Sequence, residues 1–171
     1  VVLGGRRIIK KTAFLAADEG LDVTNVEAEQ RLGGTHLLRG CIPSKALLHV
    51  AKVISEVEEL HEDWGVSYEG KPKIDIDKVR AKKDKVISNL TGGLASLAKR
   101  RNVTVIHARG SFINSTTLKL EGDHESIPEG GQLTFDHCIL ATGSVPAMPP
   151  AFRIDSDRVL DSTGALALQD V

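Results

Sequence analysis

The sequence predicts an α/β fold in which helices flank a parallel sheet and a small antiparallel sheet is inserted late in the chain. Two observations carry this prediction. Residues 1–27 follow the order strand, glycine turn, Ala-rich helix and strand, which is that of a parallel βαβ unit. From residue 103 the apolar residues change from helical spacing to short strands separated by Gly, Asn, Asp and Pro. A chain of 171 residues has room for one compact domain.

The βαβ unit begins with the apolar strand "VVL" and a turn at Gly4 and Gly5. "TAFLAADEG" then predicts a helix that ends near Gly20, with small residues at helical spacing that suit close packing on a sheet. These small residues are Ala13, Ala16 and Ala17. A second strand from Val23 to Val26 ends on Glu27.

Two long helices are predicted next. Ser44 is the expected N-cap of "KALLHVAKVISEVEEL", because a serine hydroxyl can accept a backbone N–H at a helix start. An apolar stripe at helical spacing continues along this helix. It consists of Leu47, Leu48, Ala51, Ile54 and Val57. A second helix is expected from Ile76 to Leu97, weakened at Gly92 and Gly93 by about 1 kcal/mol per glycine relative to alanine.

The late part of the chain contains the short segments "VTVIHA", "SFINS", "TTLKLEG" and "QLTFDHCILATG". The meander between Gly110 and Gly130 predicts an antiparallel insertion. "CILATG" is interpreted as a final buried strand that ends at a glycine turn, with Cys138 as a small apolar residue within it.

Composition excludes several classes of partner. The 22 basic and 23 acidic residues leave a net charge of -1, which provides no field to gather nucleic acid or anionic lipid. No apolar run approaches a membrane span, and the first residues lack the pattern of a signal peptide. The two cysteines lie far apart, so a soluble protein of the reducing cytoplasm is expected. The abrupt first and last segments suggest part of a longer polypeptide.

The order strand, glycine turn, helix, strand and acid is also that of a dinucleotide-binding unit, in which Glu27 stands where the ribose acid belongs. The G-x-G-x-x-G fingerprint that would begin at Gly4 is broken, because Arg6 and Ile9 replace its second and third glycines. A Cβ at either position blocks close approach to phosphates or to the sheet. A solvated basic turn on an ordinary βαβ unit is therefore slightly favoured on these residues alone.

Cys41 follows a glycine at the predicted start of a helix, where the helix N-terminus and Lys45 would both favour a thiolate. A buried structural cysteine is the commoner alternative. His36, Cys41 and His49 could be interpreted as metal ligands, but zinc sites use three or four ligands and no second Cys/His cluster is visible. No metal site is therefore predicted. A Cys/His nucleophilic pair would lack an evident orienting partner.

The stretch "GGTHLLRGCIPSKALL" resembles the redox-active segment of the dihydrolipoamide dehydrogenases, within the pyridine nucleotide-disulfide oxidoreductase family. Their usual form is G-G-T-C-L-N-x-G-C-I-P-S-K-A-L-L. The resemblance covers the whole chain. Glu27 matches the ribose acid, "LATGS" the second FAD signature, Gly110 a backbone contact near the adenosine part, and "DSDRVLDSTGALAL" the segment that leads to the NAD domain.

This resemblance implies a Rossmann-like FAD-binding domain over residues 1–150, with its β insertion at about 110–135. Residues 151–171 would connect to an NAD-binding domain that is absent from this chain. The implied cofactors are FAD and, in the full-length family, NAD. The implied reaction is the FAD-mediated reoxidation of protein-bound dihydrolipoamide with NAD as acceptor. The implied partners are the lipoyl domains of 2-oxo acid dehydrogenase complexes and a second copy in a homodimer.

The resemblance also assigns roles to residues. Cys41 corresponds to the cysteine that lies against the flavin, and Lys45 to the lysine beside the flavin's reactive ring edge. His36 stands where the family has its first redox cysteine. The remaining cofactor-binding positions implied are Gly4, Gly5, Glu27, Gly34, Thr35, Gly110, Thr142, Gly143 and Ser144.

Two departures from the family pattern limit what this chain is expected to do. Imidazole cannot form a disulfide or carry an electron pair as a dithiol does, so His36 removes half of the redox couple. Arg6 and Ile9 are expected to weaken FAD binding. A divergent paralogue, a deliberate inactivation and a misassignment of residues would each leave this pattern. We therefore expect the isolated chain to be inactive, with a non-catalytic binding or assembly module as the alternative.

Overall fold

The structure is a computed structural model that describes residues 1–3, 7–67 and 69–167, with residues 7–11 described by their backbone alone. Gly4, Gly5 and Arg6 lie outside the described residues. The strands are β1 (Val2–Leu3), β2 (Thr24–Glu27), β3 (Thr104–His107), β4 (Arg109–Asn114), β5 (Thr117–Glu121), β6 (Gln132–Thr134) and β7 (Ile139–Leu140). The helices are α1 (Arg7–Asp18), α2 (Gly34–Leu38), α3 (Cys41–Trp64), α4 (Ile76–Arg100) and α5 (Ser162–Ala167), with a 3₁₀ turn at Pro150–Phe152.

The chain divides into two compact units. The first consists of Val1–Leu38 and Asn89–Val145, and it contains all of the strands that the structure describes. The second consists of Arg39–Ser88 and Pro146–Val171. It contains α3, α5 and the beginning of α4. None of the helices described combines the length and the apolar composition that a bilayer span requires. The predicted domain boundary at residue 150 stays a prediction.

The first unit contains the predicted parallel sheet, with strand order β3-β2-β1-β7. All three pairings are parallel, and Val2 lies opposite both Asn25 and Ile139. α1 packs on this sheet through Ala13, which is buried beside Val2 and Val23 in one apolar cluster. The helix ends as predicted, because Gly20 adopts φ +86° and its N–H donates to the Ala17 carbonyl at 3.0 Å. The βαβ prediction is confirmed.

The predicted antiparallel insertion is also confirmed, as a three-stranded sheet of order β4-β5-β6 in the same unit. Its residues Leu118 and Leu120 share a second apolar cluster with Leu3, Val26 and Ile106 of the parallel sheet. Alternation along β5 produces this contact, because successive side chains of a strand point to opposite faces. Leu118 has no exposed surface, so it joins the two sheets at the centre of this cluster.

The predicted long helices are confirmed as α3 and α4, and the apolar stripe along α3 is not buried. The five stripe residues are half-buried or exposed, and Leu48 retains 65% of its surface. Pro43 is the buried residue of this helix. In α4, the ammonium of Lys83 is buried and donates to the Leu166 carbonyl of α5 at 2.9 Å, which connects the last helix to α4.

The prediction that Ser44 caps α3 is wrong. The helix begins at Cys41, and its N-cap is Gly40. Pro43 falls in the first turn, where the N–H that proline lacks would have no partner within the helix. Ser44 is already helical, and its hydroxyl donates to the Cys41 carbonyl at 3.1 Å instead.

The prediction that "CILATG" forms a final strand is confirmed at Ile139–Leu140, but the prediction that this strand is buried and includes Cys138 is wrong. The stretch "QLTFDHCILATG" is split into β6 and β7, because β6 pairs with β5 in the antiparallel sheet and β7 pairs with β1 in the parallel sheet. One uninterrupted strand cannot take both directions. Among the described strands, β7 lies at the edge of the parallel sheet, and Leu140 within it is 63% exposed.

Candidate functional site

The carboxyl ends of the four parallel strands lie at one edge of the first unit. These ends are Leu3, Glu27, His107 and Leu140. The chain progresses from β1 to β2 to β3 on one side and then returns to place β7 on the other side of β1. The strand order therefore reverses between β1 and β7. Open parallel sheets bind ligands in the crevice at such a reversal, outside the carboxyl ends of the strands.

Glu27 is the last residue of β2, and its side chain is buried, with 3% of the residue exposed. Its Oε1 accepts the Glu29 N–H at 3.1 Å, and its backbone carbonyl accepts the Ala108 N–H at 3.0 Å. Burying a carboxylate is costly unless hydrogen-bond donors reach it. The structure thus places the predicted ribose acid, with a hydrogen bond to the turn that follows it, at the carboxyl edge of the sheet.

Two further predicted positions meet at this edge although they are far apart in sequence. The Thr35 hydroxyl donates to the Ser144 carbonyl at 3.2 Å, which connects α2 to the segment after β7. Both segments depend on a glycine with positive φ, Gly34 at +57° and Gly143 at +82°. Most L-residues avoid this region, so these positions require glycine. Thr142 lies between β7 and this contact and is exposed.

Gly110 has a packing role that the sequence did not indicate. It lies in β4 opposite Leu120, and a Cβ added to it would stand 2.9 Å from Cδ2 of Leu3. Because Gly110 has no side chain, Leu3 at the end of β1 can pack directly against the antiparallel sheet. Its predicted backbone contact with the adenosine part of FAD stays a prediction.

The residues predicted to carry redox chemistry are divided between the units. His36 is half-buried in α2 of the first unit. Cys41 and Lys45 belong to the second unit, where Cys41 is the first residue of α3 and is exposed. Positions four apart on a helix are neighbours on one face, so Lys45 follows the thiol by one turn. The predicted glycines Gly4 and Gly5 lie outside the described residues.

Neither a metal-binding cluster nor a disulfide occurs among the described residues. Within residues 1–3, 7–67 and 69–167, no group of three His, Cys, Asp or Glu side chains is close enough to hold a metal ion. Both cysteines are free thiols. Cys138 packs against the cluster that contains Leu118, and burial raises the pKa of its thiol.

This difference in environment predicts unequal thiol reactivity. In native protein treated with iodoacetamide at pH 8, Cys41 is expected to be alkylated several-fold faster than Cys138. Cys41 is exposed, whereas a raised pKa leaves less Cys138 as thiolate at a given pH. As pH increases, the alkylation rate of Cys138 in native protein should keep rising at pH values where its rate in the denatured chain has already reached a plateau. Peptide mass spectrometry over time measures both rates, and equal rates in native protein would contradict the assignment.

One residue at the carboxyl edge was missed by the sequence analysis. His107 ends β3, and its Nδ1 lies 2.9 Å from the Glu29 carbonyl oxygen. A lone histidine at the end of a short strand matches no motif, so the sequence contains no signal for this contact.

Comparison with known proteins agrees with this geometry. Residues 10–171 match the family described as pyridine nucleotide-disulphide oxidoreductase. The chain is 48% identical to the dihydrolipoyl dehydrogenase of Vibrio cholerae and 45% identical to that of Vibrio parahaemolyticus. Each match covers 100% of this chain and 35% of the relative, so the chain spans about a third of their length.

Solved structures show the same fold. The flavoprotein disulfide reductase RclA of Escherichia coli superposes with a TM-score of 0.76 at 24% identity, over 99% of this chain and 34% of that protein. LpdA of Mycobacterium tuberculosis superposes with a TM-score of 0.78 at 22% identity, over 99% of this chain and 37% of that protein. From the family match, the chain belongs to the pyridine nucleotide-disulphide oxidoreductase family.

Proposed function

We propose that this chain is the FAD-binding part of a flavin disulfide oxidoreductase that reoxidises protein-bound dihydrolipoamide with NAD as acceptor. The observation that carries the proposal is the buried carboxylate of Glu27 at the carboxyl edge of the parallel sheet. The contact between Thr35 and Ser144 occurs in the segments that flank the reversal of strand order. Similarity to dihydrolipoyl dehydrogenases over the whole chain supports the choice of substrate class.

The residues at this edge fit FAD by their chemistry. A buried carboxylate accepts hydrogen bonds from vicinal ribose hydroxyls, which is the role proposed for Glu27. Gly34, Thr35, Gly110 and Thr142–Ser144 would line the rest of the cofactor, with Gly4 and Gly5 assigned on sequence alone. When bound, FAD supplies a two-electron carrier between thiols and the nicotinamide. Arg6 and Ile9 occupy glycine positions of the fingerprint, so binding is expected to be weaker than with an intact motif.

The proposed redox residues are Cys41, Lys45 and His36. Cys41 presents an exposed thiol at the first residue of α3, one helical turn before Lys45. A disulfide forms when one thiolate attacks a second sulfur, and His36 supplies no sulfur. We therefore propose that this chain does not turn over dihydrolipoamide by itself.

The partners proposed are those of the dihydrolipoyl dehydrogenases as a group. They are the lipoyl domains of 2-oxo acid dehydrogenase complexes, NAD and a second copy in a homodimer, in the cytoplasm. The near balance of 22 basic and 23 acidic residues supports neither nucleic acid nor an anionic membrane surface as a partner.

A non-catalytic module is the second candidate, and His36 is the observation that favours it. Such a module would keep the fold and the adenosine-binding edge for binding or assembly. The two candidates differ in what the thiol does, because the enzyme fragment requires Cys41 to exchange electrons with the cofactor. A visible absorption spectrum of FAD-loaded protein that is the same in the wild type and in Cys41→Ser would favour the module, because the thiol would then make no contact with the flavin.

Replacement of Glu27 by glutamine tests the proposed cofactor. The purified 171-residue chain is titrated with FAD, and the change in flavin fluorescence gives Kd. Glu27→Gln is expected to weaken binding roughly tenfold or more, because a hydrogen bond to a charged group contributes about 1.5 to 3 kcal/mol.

Glu19→Gln is the matched control, since Glu19 is exposed just after α1 and its variant should keep the wild-type Kd. Equal Kd values for both variants, or no FAD binding by the wild type, would contradict the proposal.

A further inference from the structure

The turn after β2 and the end of β3 form one wall of a cavity at the carboxyl edge of the first unit. The cavity has a volume of about 510 Å³. Glu29 lines it from the turn after β2 and His107 from the end of β3, and Gly122 and His124 line it from the loop that follows β5. The wall therefore contains the residues immediately after Glu27 and a histidine from the neighbouring strand.

Glu29 connects that histidine to the buried carboxylate. Its N–H donates to Oε1 of Glu27 at 3.1 Å, and its carbonyl lies 2.9 Å from Nδ1 of His107. Because a carbonyl can only accept, Nδ1 of His107 is the donor and carries the proton. Glu29 thus supplies both the N–H that is donated to Glu27 and the carbonyl that accepts from His107.

This contact extends the pairing of β2 and β3 beyond its last step. Glu27 and His107 are the last paired residues of β2 and β3. The last hydrogen bond between the two strands is the one that the Ala108 N–H donates to the Glu27 carbonyl at 3.0 Å. Past this point the imidazole of His107 contacts the turn after β2 through the Glu29 carbonyl. Glu29 is only half-buried, so packing alone fixes the turn weakly.

His107 is itself held by the loop after β5. Its N–H donates to the Ser126 hydroxyl at 2.9 Å, and its ring lies against that of His124, with centroids 5.0 Å apart. The Ser126 N–H in turn donates to Nδ1 of His124 at 3.1 Å. The imidazole that contacts Glu29 is thus supported from two directions.

We propose that His107 is a positioning residue for Glu27. By holding the Glu29 carbonyl, it keeps the Glu29 N–H on the carboxylate and so fixes the orientation in which Glu27 meets the ribose of FAD. The role in FAD binding rests on the function proposed above, whereas the hold on the turn does not depend on it.

The test compares His107→Phe, which keeps an aromatic ring but no donor, with His107→Asn, whose side-chain N–H can replace Nδ1. His61→Phe, at an exposed position of α3, is the control. In protein without FAD, hydrogen exchange of the Glu29 amide measured by NMR should be at least severalfold faster in His107→Phe and near the wild-type rate in His107→Asn. FAD should bind roughly threefold to tenfold more weakly to His107→Phe, the range for loss of one neutral hydrogen bond, with recovery in His107→Asn.

A general loss of structure would accelerate exchange of the β2 and β3 amides together, whereas a positioning role accelerates that of Glu29 selectively. Uniform acceleration, an unchanged Glu29 rate in His107→Phe, or failure of His107→Asn to restore it would overturn the inference. An unchanged FAD Kd in His107→Phe would overturn it equally. If the wild type does not bind FAD, the proposed function fails, and the exchange rates still decide whether His107 holds the turn.

Discussion

Replacing Leu118 with alanine is expected to lower the free energy of unfolding by roughly 3 to 5 kcal/mol, within the range for a fully buried leucine. Leu118 has no exposed surface and packs with Leu3 and Val26 of the other sheet. Its truncation leaves a cavity between two sheets that are each held by their own strand pairing, so neither can collapse easily into the space. Chemical denaturation followed by circular dichroism measures the change.

Leu15→Ala is the matched control for this loss. Leu15 lies on α1 and is 59% exposed. The same atoms are removed without creating a cavity, and alanine favours a helix, so the free energy of unfolding should change by less than about 1 kcal/mol. Comparable losses in the two variants would mean that the cluster around Leu118 does not hold the sheets together.

Replacing His36 with cysteine is expected to give an all-or-none result, a disulfide to Cys41. The wild-type chain has two free thiols, and the variant should have one after mild oxidation, because its third sulfur pairs with Cys41. The spacing "LLRG" between the two positions has the length found in the family, including the glycine before the second cysteine. Thiol titration and a non-reducing peptide map measure the change.

This repair should not restore turnover. Dihydrolipoamide-dependent NADH formation by the oxidised His36→Cys chain is expected to remain at background, since Arg6 and Ile9 still interrupt the glycine turn. The matched relatives are also about three times as long as this chain, which covers 35% of them. Turnover by the variant would show that the glycine turn had been misinterpreted. Absence of the disulfide would place His36 outside the redox motif.

The parts of the fold that could be predicted depend on local sequence. Ala13 and Gly20 marked the packed face and the end of α1, because small residues at helical spacing and a positive-φ glycine each have a local physical cause. Alternation in "TTLKLEG" likewise identified β5. The start of α3 was misplaced because Ser44 is a good cap in isolation, whereas Pro43 fits the first turn equally well.

The sequence indicated candidate residues for the site, whose roles stay predictions, but it did not indicate the contacts between them. Glu27 could be identified from its place after the second strand, since that position follows from the order of elements. The contacts of Thr35 with Ser144 and of His107 with Glu29 join residues 109 and 78 positions apart, and nothing in either sequence stretch specifies the other. The division of "QLTFDHCILATG" between two sheets has the same origin, because each half takes its direction from a different partner strand.

The position of β1 between β2 and β7 has a consequence for synthesis on the ribosome. Val2 pairs with Asn25 on one side and with Ile139 on the other. At elongation rates of roughly 5 to 20 residues per second, the ribosome needs about 6 to 23 seconds to travel from the first of these partners to the last. During that interval the nascent first strand has only one neighbour, and its open edge can pair with other chains. β1 is translated before both of its partners, and its place in the sheet is therefore complete only after β7 has been translated.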